Sequence, residues 1–526
     1  MVITVKKDKS QKPKNSLFGR FLNGVELVGN RLPHPITLFA LFSLTIVLIS
    51  AILSMFGVSA SGELINRDTM TVEHQTVEVV SLLSKPGLVF MLTKAVKNFT
   101  DFAPLGIVLV AMLGVGVAEG SGYISAALRS VVAVTPRQII SPVVVFLGVM
   151  SNIASDAGYV VLVPIGALMF MAYGRHPIAG LAAAFAGVSG GFSANLLIGT
   201  LDPMLAGIST EAAGIVDPDY LVTPTANLFF MMVSTFLITI LGTIVTDRIV
   251  EPRLGAYHSN GERHDAHFAN LEPQEKKALR CANLTLLAMA AGILLLLIPR
   301  NSFLRNPVTG SLISGAPFMD GFIILIALFF FIPSVVFGVV SGAYRSEKDV
   351  CSQLQDNMAS MGGYIALVFV AAQFISYFNY TNLGTVLALS GANLLKASGI
   401  SGPVLMVLFI LFTGFVNLFM GSASAKWTIM APVFVPMFML LGYSPELTQV
   451  AYRIGDSCTN VISPLMSYFA MIVVFAKKYD EQSGIGTLVA TMLPYSLVFL
   501  VGWSVMLIVW MLAGLPLGPG AVLFLS

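Results

Sequence analysis

Residues 421–464 read GSASAKWTIMAPVFVPMFMLLGYSPELTQVAYRIGDSCTNVISP, and this stretch decides the fold. Small polar residues interrupt two apolar runs here, first at 421–424 and again at 455–460. A helix in hydrocarbon hides its own backbone, so groups exposed by an interruption must line a cavity or be buried in protein. Ionisable residues lie beside both interruptions: Lys426, Arg453 and Asp456. Because such residues inside membrane spans indicate function, the stretch predicts discontinuous helices around a site rather than a polar loop between two ordinary helices.

The composition is that of an integral membrane protein. Of the 526 residues, 56% are hydrophobic and 11% are charged, and the mean hydropathy is +0.85. Soluble domains carry about a quarter charged residues. The apolar runs are long, which predicts helices instead of the roughly ten-residue alternating strands of an outer-membrane barrel. The net charge of +2 gives no electrostatic case for nucleic-acid binding, and the three cysteines match neither a metal site nor a disulfide framework.

The distribution of basic residues among the loops predicts the orientation of the chain. The basic segment 1–34 and the basic stretch 248–280 are predicted to be cytoplasmic, and the uncharged C-terminus is predicted to be periplasmic. Two further segments have apolar arms around a polar tip. They fit re-entrant hairpins, because each arm is shorter than the ~20 residues that a span needs. The other apolar runs predict nine spans: 35–57, 103–120, 178–208, 225–247, 281–299, 319–341, 362–380, 447–476 and 489–513.

The order span, span, hairpin, broken span, span occurs twice, in opposite orientations. The predicted units are a first repeat at 35–248 with a cytoplasmic-side hairpin near 141–173, a cytoplasmic loop and linker span at 249–318, and a second repeat at 319–526 with an external-side hairpin near 403–441. Ser155 and Ser424 are 269 positions apart, and Asn195 and Asn460 are 265 apart, as an internal repeat predicts. The sequence therefore predicts an all-α integral membrane protein with nine transmembrane helices, two re-entrant hairpins and an inverted structural repeat, the architecture of secondary transporters.

Four polar interruptions are expected to converge on a substrate site: the tips at 152–156 and 422–427, and the breaks at 193–195 and 457–460. Half-helix N-termini there offer free amides to an anion, whereas exposed carbonyls and hydroxyls suit a cation. Serine and asparagine serve both tasks because each donates and accepts hydrogen bonds. The predicted substrate-binding residues of these interruptions are Asn152, Ser155, Ser193, Asn195, Ser422, Ser424 and Asn460.

The charged residues beside the interruptions are candidates for ion coupling. Asp156, Asp202 and Asp456 are predicted to carry a proton or to bind the coupling ion, which is H⁺ or Na⁺. Two hypotheses stay open for Arg453: it clamps a substrate carboxylate, or it pairs with Asp456 one helical turn away. Trp427 offers a flat face to an aromatic ligand. The prolines expected to end or kink helices are Pro164, Pro432 and Pro464.

Long motifs give the sequence a resemblance to a known family. They are LPHPITLF (32–39), VKNFTDFAPLG (96–106), GRHPIAGLAAAFAGVSGGFSANLLIGTLDPMLAGIS (174–209), EPRLG (251–255), GSASAKWTIMAPVFVPM (421–437), AYRIGDSCTNVISPLMSYF (451–469), and MLPYSLVFL and GLPLGPG near the C-terminus. Through these residues the chain resembles the AbgT family, the p-aminobenzoyl-glutamate transporters, over nearly its whole length.

The resemblance implies a homodimer of nine-span subunits with two hairpins each. It implies functional importance for Asp202, Ser424, Trp427, Pro445, Arg453, Asp456 and Pro464, which adds Pro464 to the substrate-site residues and Pro445 to the structural prolines. Asp156 stands where some relatives have glutamate, which keeps the charge. Members of the family take up p-aminobenzoyl-glutamate or export sulfonamide antimetabolites with proton coupling. Both ligands carry a p-aminobenzoyl-type ring, but only the first has carboxylates for Arg453.

We therefore predict an ion-coupled secondary transporter, driven by the proton motive force, in a bacterial inner membrane and without an organic cofactor. A sodium-coupled dicarboxylate carrier shares the paired-hairpin plan and is the nearest alternative. An intramembrane enzyme is the alternative from a different class. It would need a base beside Ser155 or Ser424, and the sequence has no obvious membrane-embedded histidine for that role.

Overall fold

The computed structural model describes residues 33, 35–65, 72–133, 135–154, 158–255, 257, 271–312, 316–464, 466 and 468–525. Four parts of the predictions lie outside these residues: nearly all of the basic N-terminal segment, Ser155 and Asp156 of the first tip, residues 258–270 of the predicted cytoplasmic loop, and the terminal Ser526. The described part of the chain is mostly helical.

The first half contains one pair of strands and nine α-helices that we label in chain order. The first helix and the strands are α1 (Pro35–Met55), β1 (Ser59–Ile65) and β2 (Val72–Glu78). The helices that follow are α2 (Lys85–Thr100), α3 (Ala103–Gly120), α4 (Tyr123–Ala133), α5 (Ile140–Ser151), α6 (Val163–Ala172), α7 (Pro177–Phe185), α8 (Leu201–Ala213) and α9 (Leu228–Val245). Single turns of 3₁₀- or π-helix occur at Arg137–Ile139, Asn152–Ala154, Gly158–Leu162, Ala186–Gly190 and Thr246–Val250, and a short α-helix at Glu251–Leu254.

Within its described residues, the named elements of the second half are all helices. Its helices are α10 (Pro273–Leu297), α11 (Phe322–Ser341), α12 (Glu347–Ser360), α13 (Gly362–Tyr380), α14 (Leu383–Ser398), α15 (Gly402–Asn417), α16 (Ala423–Met439), α17 (Pro445–Asn460), α18 (Phe469–Lys477) and α19 (Ile485–Leu512), with a short turn at Pro317–Asp320 before α11.

The helices that are long and apolar enough to cross a membrane match most of the predicted spans. In the described part of the chain six qualify: Ile36–Met55, Leu228–Leu254, Pro273–Leu297, Phe322–Ser341, Glu347–Tyr380 and Ile485–Leu512. Helices α3 and α4 qualify together, with a 60° bend between them. The two remaining predicted spans, 178–208 and 447–476, are each broken into shorter helices. The count of nine crossings and the inverted repeat stay predictions.

The strands correct the all-α prediction. β1 and β2 pair antiparallel with Ser59 opposite Glu78, in a segment that the sequence indicated only as external and acidic. The hydroxyls of Ser61 and Thr76 share a hydrogen bond of 2.7 Å across the pair. The strands are joined to the helices at their ends, because Asn382, between α13 and α14, donates to the Glu78 carbonyl at 3.0 Å. In β1 the polar residues at 59, 61 and 63 alternate with the less polar ones at 60, 62 and 64, whereas β2 has four consecutive polar residues at 73–76. Only β1 therefore carried a period-two signal, and the search for long apolar runs passed over it.

The break predicted at 455–460 falls in a different place. Helix α17 continues to Asn460, and the described residues that follow it, 461–464, 466 and 468, are irregular. The polar side chains are compatible with a helix because they form hydrogen bonds within the protein. Thr459 Oγ1, for example, donates to the carbonyl of Gly455, one turn earlier in α17, at 2.7 Å. Gly455 is needed for packing, since a Cβ there would lie 2.4 Å from the Ile410 carbonyl oxygen of α15. Small and polar residues therefore mark close helix contact here, not a break in the backbone.

The second tip lies earlier in the chain than the predicted 422–427. It spans 418–422, because Ser422 is the N-cap of α16 and accepts a hydrogen bond from the Ala425 amide at 3.4 Å. Residues 423–427, predicted as tip, form the first turn of α16.

The predicted prolines occupy different helix positions. Pro164 lies in the first turn of α6, and Pro445 begins α17 beside the N-cap Ser444. Pro464 lies in the irregular segment after α17. Pro432 does not end a helix, because α16 continues through it and through Pro436 to Met439. A proline is tolerated in the first turn, where its missing amide costs no hydrogen bond, and inside a span where neighbouring helices satisfy the freed carbonyls.

Helix α17 is the centre of the packed core. Every residue from Pro445 to Asn460 is buried, including its charged and amide side chains. It contacts α15, α16, α19 and α8, so it touches both halves of the chain. Because lipid offers no hydrogen bonds, a helix this polar must find its partners within the protein.

Candidate functional site

A cavity of about 330 Å³ lies at the tips of the two predicted hairpins, which are the helix pairs α5–α6 and α15–α16, and beside the two interrupted segments. Each region supplies a polar lining residue: Asn152 from the first hairpin, Thr200 before α8, Ser422 at the second tip and Asn460 at the end of α17. Ser424, from the first turn of α16, also lines it. The structure thus brings together the four interruptions on which the sequence analysis placed the substrate site.

The aromatic lining of the cavity comes from three rings that sequence analysis missed. Tyr159, Phe192 and Tyr468 line it, and the rings of Tyr159 and Tyr468 stack with centroids 4.7 Å apart and planes 10° apart. Their signal in the sequence was an aromatic residue close to each polar interruption.

The two interrupted segments touch directly beside the cavity. The Ser193 amide donates to Ser457 Oγ at 3.1 Å, and the Asn152 side-chain amide donates to the Gly191 carbonyl at 3.3 Å. The oxygens Asn152 Oδ1 and Ser193 Oγ are buried, and within the described residues nothing bonds them. Asn195 does not line the cavity; its Oδ1 accepts from the Leu197 amide at 3.4 Å in a local turn.

One buried ion pair fastens the second hairpin. Lys426 is fully buried, and its ammonium bonds both Asp456 Oδ1 and Asn417 Oδ1. The Asn417 side-chain amide lies 2.9 Å from the Asp456 carbonyl oxygen and 2.8 Å from Asn460 Oδ1. Ser463 Oγ donates to the Asn417 carbonyl at 3.1 Å. The end of α15, the start of α16 and the end of α17 are therefore joined by one network of hydrogen bonds.

A second buried ion pair gives Arg453 a partner that neither of its two hypotheses named. Its guanidinium donates to Asp202 Oδ1 at 2.6 Å, and both side chains are 4% exposed. Asp202 also accepts from the Gly199 amide at 2.7 Å, at the N-terminal turn of α8. The pairing of Arg453 with Asp456 was wrong, because Asp456 is held by Lys426. Arg453 does not line the cavity, and its Nε has no partner among the described residues.

Trp427 is not available for stacking in this conformation. The indole is completely buried, and its ring lies against Tyr452 with centroids 4.4 Å apart. Its Nε1 donates to Ser209 Oγ at 3.0 Å, and Gln449 Nε2 donates to the same oxygen at 2.9 Å. Ser209 on α8 therefore holds α16 and α17 of the other half together. The predicted ligand face of Trp427 is covered by protein.

Several of the residues that hold this site were missed or left without a role by sequence reasoning. Lys426 was noted only as an ionisable neighbour, although a lysine inside an apolar run was signal enough. Asn417, Ser209 and Tyr452 are single polar residues in long apolar segments, and only their tertiary neighbours reveal what they do. Ser155 and Asp156 lie outside the described residues.

A cluster of charges at the base of the first hairpin is separate from the cavity. Arg175, between α6 and α7, donates to Glu251 at 3.0 Å through Nε, to Asp247 at 2.6 Å and to Ser141 at 2.7 Å. Ser141 donates in turn to Asp247 at 2.6 Å. Burial by itself would lower the pKa of Arg175, but the hydrogen bonds to Glu251 and Asp247 outweigh it and raise that pKa. We call these four residues the hairpin-base cluster.

Comparison with known proteins identifies the class and then the family. Residues 20–525 match the sequence profile of the AbgT transporter family. The chain is 40% identical over 508 residues to the p-aminobenzoyl-glutamate transport protein of Escherichia coli (strain K12). The aligned residues cover 97% of this chain and 98% of the relative.

Two solved structures share the fold. The YdaH transporter of Alcanivorax borkumensis is 48% identical and superimposes with a TM-score of 0.86, covering 93% of this chain and all of that one. MtrF of Neisseria gonorrhoeae is described as representing a class of antimetabolite efflux pumps. It is 47% identical to this chain with a TM-score of 0.89, and the match covers 95% of this chain and all of that one. These matches, with the membrane helices above, define a multi-pass membrane transporter. The chain belongs to the AbgT family.

Proposed function

We propose that this protein is an ion-coupled secondary transporter in a bacterial inner membrane that carries p-aminobenzoyl-glutamate. The cavity shared by both hairpins and both interrupted segments supports this most strongly, because discontinuous helices meeting between two halves suit alternating access. Its volume of about 330 Å³ is at the small end of the range for ligand pockets, roughly 300–1,000 Å³.

The aromatic ring of the substrate packs against Tyr159 and Tyr468. These rings line the cavity and already stack with each other, so they present an aromatic wall to a flat ligand. Trp427 acts on the opposite side of the cavity: it packs on Tyr452, whose hydroxyl donates to the carbonyl of the lining residue Ala423.

The substrate carboxylates bind at the start of α16. Ser422 caps this 17-residue helix and lines the cavity together with Ala423 and Ser424. The N-terminus of a helix presents amides and a partial positive charge to an anion. Arg453 is a second source of positive charge, but it reaches a carboxylate only by leaving Asp202.

The coupling ion is a proton, carried by Asp202 or Asp456. Each carboxylate is buried and paired with a single base, Arg453 or Lys426, so protonation of the carboxylate releases that base. Sodium remains the alternative coupling ion, and the experiment below separates the two.

Uptake into proteoliposomes tests the proposal. We expect radiolabelled p-aminobenzoyl-glutamate to accumulate under an imposed proton gradient in sodium-free buffer. The variants Ser422→Ala and Tyr468→Leu should lower affinity, whereas Thr93→Ala, on the exposed face of α2, serves as a matched control. Accumulation under a sodium gradient alone would show that the coupling ion is sodium and not a proton. The absence of accumulation under either gradient would show that the protein does not transport this substrate.

The predicted topology has its own test. With the native cysteines replaced, single cysteines at positions 258 and 526 should label from the cytoplasmic and periplasmic sides respectively. Labelling of both from one side would contradict the inverted repeat. Chemical crosslinking in membranes should yield a dimer, as the predicted homodimer requires.

Export of sulfonamides is the second candidate function. The 47% identity to MtrF favours it, since that protein represents a class of antimetabolite efflux pumps. Expression in a sulfonamide-sensitive host should then raise the inhibitory concentration. Unchanged sensitivity together with uptake of p-aminobenzoyl-glutamate would assign this chain to import.

A further inference from the structure

Glu446 is a buried carboxylate that belongs to neither of the two ion pairs. It lies in the first turn of α17, at the opposite end of that helix from the cavity-lining Asn460, and it is 5% exposed. The aspartates of the two ion pairs each bond a base, whereas Glu446 forms no ion pair with any described residue. An ionised carboxylate that is buried without a counter-charge is costly, and such a group takes up a proton more readily than an exposed one.

The contacts of Glu446 come from the other half of the chain. The Tyr220 hydroxyl donates to Glu446 Oε2 at 2.9 Å, and the Asn227 side-chain amide donates to the Glu446 carbonyl at 3.1 Å. Tyr220 is half-buried, in the segment between the predicted spans 178–208 and 225–247, which is predicted to be periplasmic. The Val222 amide of this segment donates to Thr210 Oγ1 on α8 at 3.0 Å. The Tyr220–Glu446 bond therefore joins α17 to α8 at the predicted periplasmic end.

The surroundings of Glu446 supply no base to neutralise it. Residues 214–227, α8, the turn before α17 and the C-terminal residues 515–525 meet around this end of α17. Their titratable side chains are all carboxyls or tyrosines: Asp202, Glu211, Asp217, Asp219, Tyr220 and Tyr443. Helices α9, α15 and α19 carry no charged residue. The bases on α16 and α17, Lys426 and Arg453, are bonded to the two aspartates.

We propose that Glu446 is a proton-uptake site at the predicted periplasmic end of α17. One proton from the external water forms an O–H bond with the Glu446 carboxylate and cancels its buried negative charge, and no electron is transferred. The bond from Tyr220 then ends on a neutral group and loses the added strength of a charge-assisted hydrogen bond. Protonation from outside thus loosens the contact between the two halves at this end. The inference rests on the proposed function and deepens it, because it names where an external proton enters the cycle.

Infrared spectroscopy of the purified full-length protein tests the protonation without any transport assay. Glu446→Gln keeps the size of the side chain and an oxygen that accepts from Tyr220, but it cannot titrate. We expect the difference between the wild-type and variant spectra to contain a carboxylic-acid C=O band that grows as the pH is lowered. Tyr220→Phe removes a donor to the ionised form, so its band should appear at a higher pH. Asp217→Asn removes a carboxylate from the same segment and should retain the wild-type band.

Uptake into proteoliposomes tests whether this proton takes part in transport. At constant internal pH and membrane potential, the initial rate of wild-type p-aminobenzoyl-glutamate uptake should rise in a step as the external pH falls. Glu446→Gln should lose this step, and Tyr220→Phe should move it to higher pH. A merely structural Glu446 would instead make the rate of Glu446→Gln lower by the same factor at every pH.

Two results would overturn the inference: a difference spectrum without a carboxylic-acid band at any pH at which the protein is folded, and a pH step in uptake that Glu446→Gln leaves unchanged. If Glu446→Gln does not fold, the wild-type and Tyr220→Phe spectra decide, because identical titration curves would contradict the site. A protein that accumulates no substrate but shows the expected band would reject the proposed function and leave the proton-uptake site standing.

Discussion

The two buried ion pairs use the same helix, α17, but they connect different parts of the molecule. Lys426–Asp456 stays within the second half, where Asn417 completes a network joining the hairpin to α17. Arg453–Asp202 crosses between the halves, and the two residues are 251 positions apart in the chain. Relative motion of the halves would therefore break the second of these pairs and leave the first intact. One pair therefore joins α16 to α17 within the second half, and the other is the pair that the proposed alternating access would break.

Removing the carboxylate of the pair between the halves should have the largest effect. Asp202→Asn leaves the Arg453 guanidinium buried without a counter-charge, which costs about 3–5 kcal/mol. We expect a large loss in the free energy of unfolding and no gradient-driven uptake. Denaturant unfolding in detergent and proteoliposome uptake measure the two effects. Asp219→Asn removes an exposed carboxylate from the loop after α8 and is the control. Equal behaviour of the two variants would show that the pair between the halves carries no weight.

A double-mutant cycle should rank the possible partners of Arg453. Contacting residues show coupling energies on the order of 0.5–3 kcal/mol. We expect the coupling of Arg453→Met with Asp202→Leu to exceed its coupling with Asp456→Leu, because the guanidinium contacts only the first carboxylate. The free energies of unfolding of the single and double variants give both values. The opposite ranking would restore the pair within α17 that the sequence spacing suggests.

The role of Trp427 can be separated from its packing with a matched tryptophan. Trp427→Phe removes the bond to Ser209, and Trp503→Phe removes an equivalent bond of 2.7 Å from Trp503 to Ser234. Each change should cost about 1 kcal/mol of stability. Isothermal titration should show weaker substrate binding only for Trp427→Phe, because Trp427 packs on Tyr452, whose hydroxyl donates to the carbonyl of the cavity-lining Ala423. Equal losses of affinity would reduce Trp427 to a packing residue.

The hairpin-base cluster should give the smallest effect. Its Glu251 is partly exposed, so Glu251→Gln should cost about 1 kcal/mol or less. Arg175 keeps its charge because its pKa is raised, and it retains Asp247 as a partner. The loss should shrink further in high salt, whereas the effect of Asp202→Asn should not. Unfolding measured at two ionic strengths decides this, and a large salt-independent loss would place the cluster among the buried pairs.

The sequence alone predicted the bounds of a helix correctly where an uninterrupted apolar run is flanked by polar residues at both ends. The predicted spans 103–120 and 362–380 coincide with α3 and α13. Residues 319–341 and 489–513 lie within a few positions of α11 and α19. Hydropathy is calculated over consecutive residues, so it predicts the length and the ends of a helix without any information on tertiary contacts. The β-hairpin was missed for the same reason, because an external segment has no apolar run to find.

The linear pattern of apolar runs and polar interruptions is enough to predict a helical membrane protein whose charged residues accompany its interruptions, and the two re-entrant hairpins stay a prediction. Those conclusions depend on the bilayer as a solvent, which acts on each segment separately. Only the tertiary structure decided that Arg453 bonds Asp202, that Lys426 bonds Asp456 and that Trp427 is covered by Tyr452. A buried charge pairs with the opposite charge that tertiary packing places beside it. For Arg453 that partner is Asp202, which is distant in sequence, and not Asp456, which is one helical turn away.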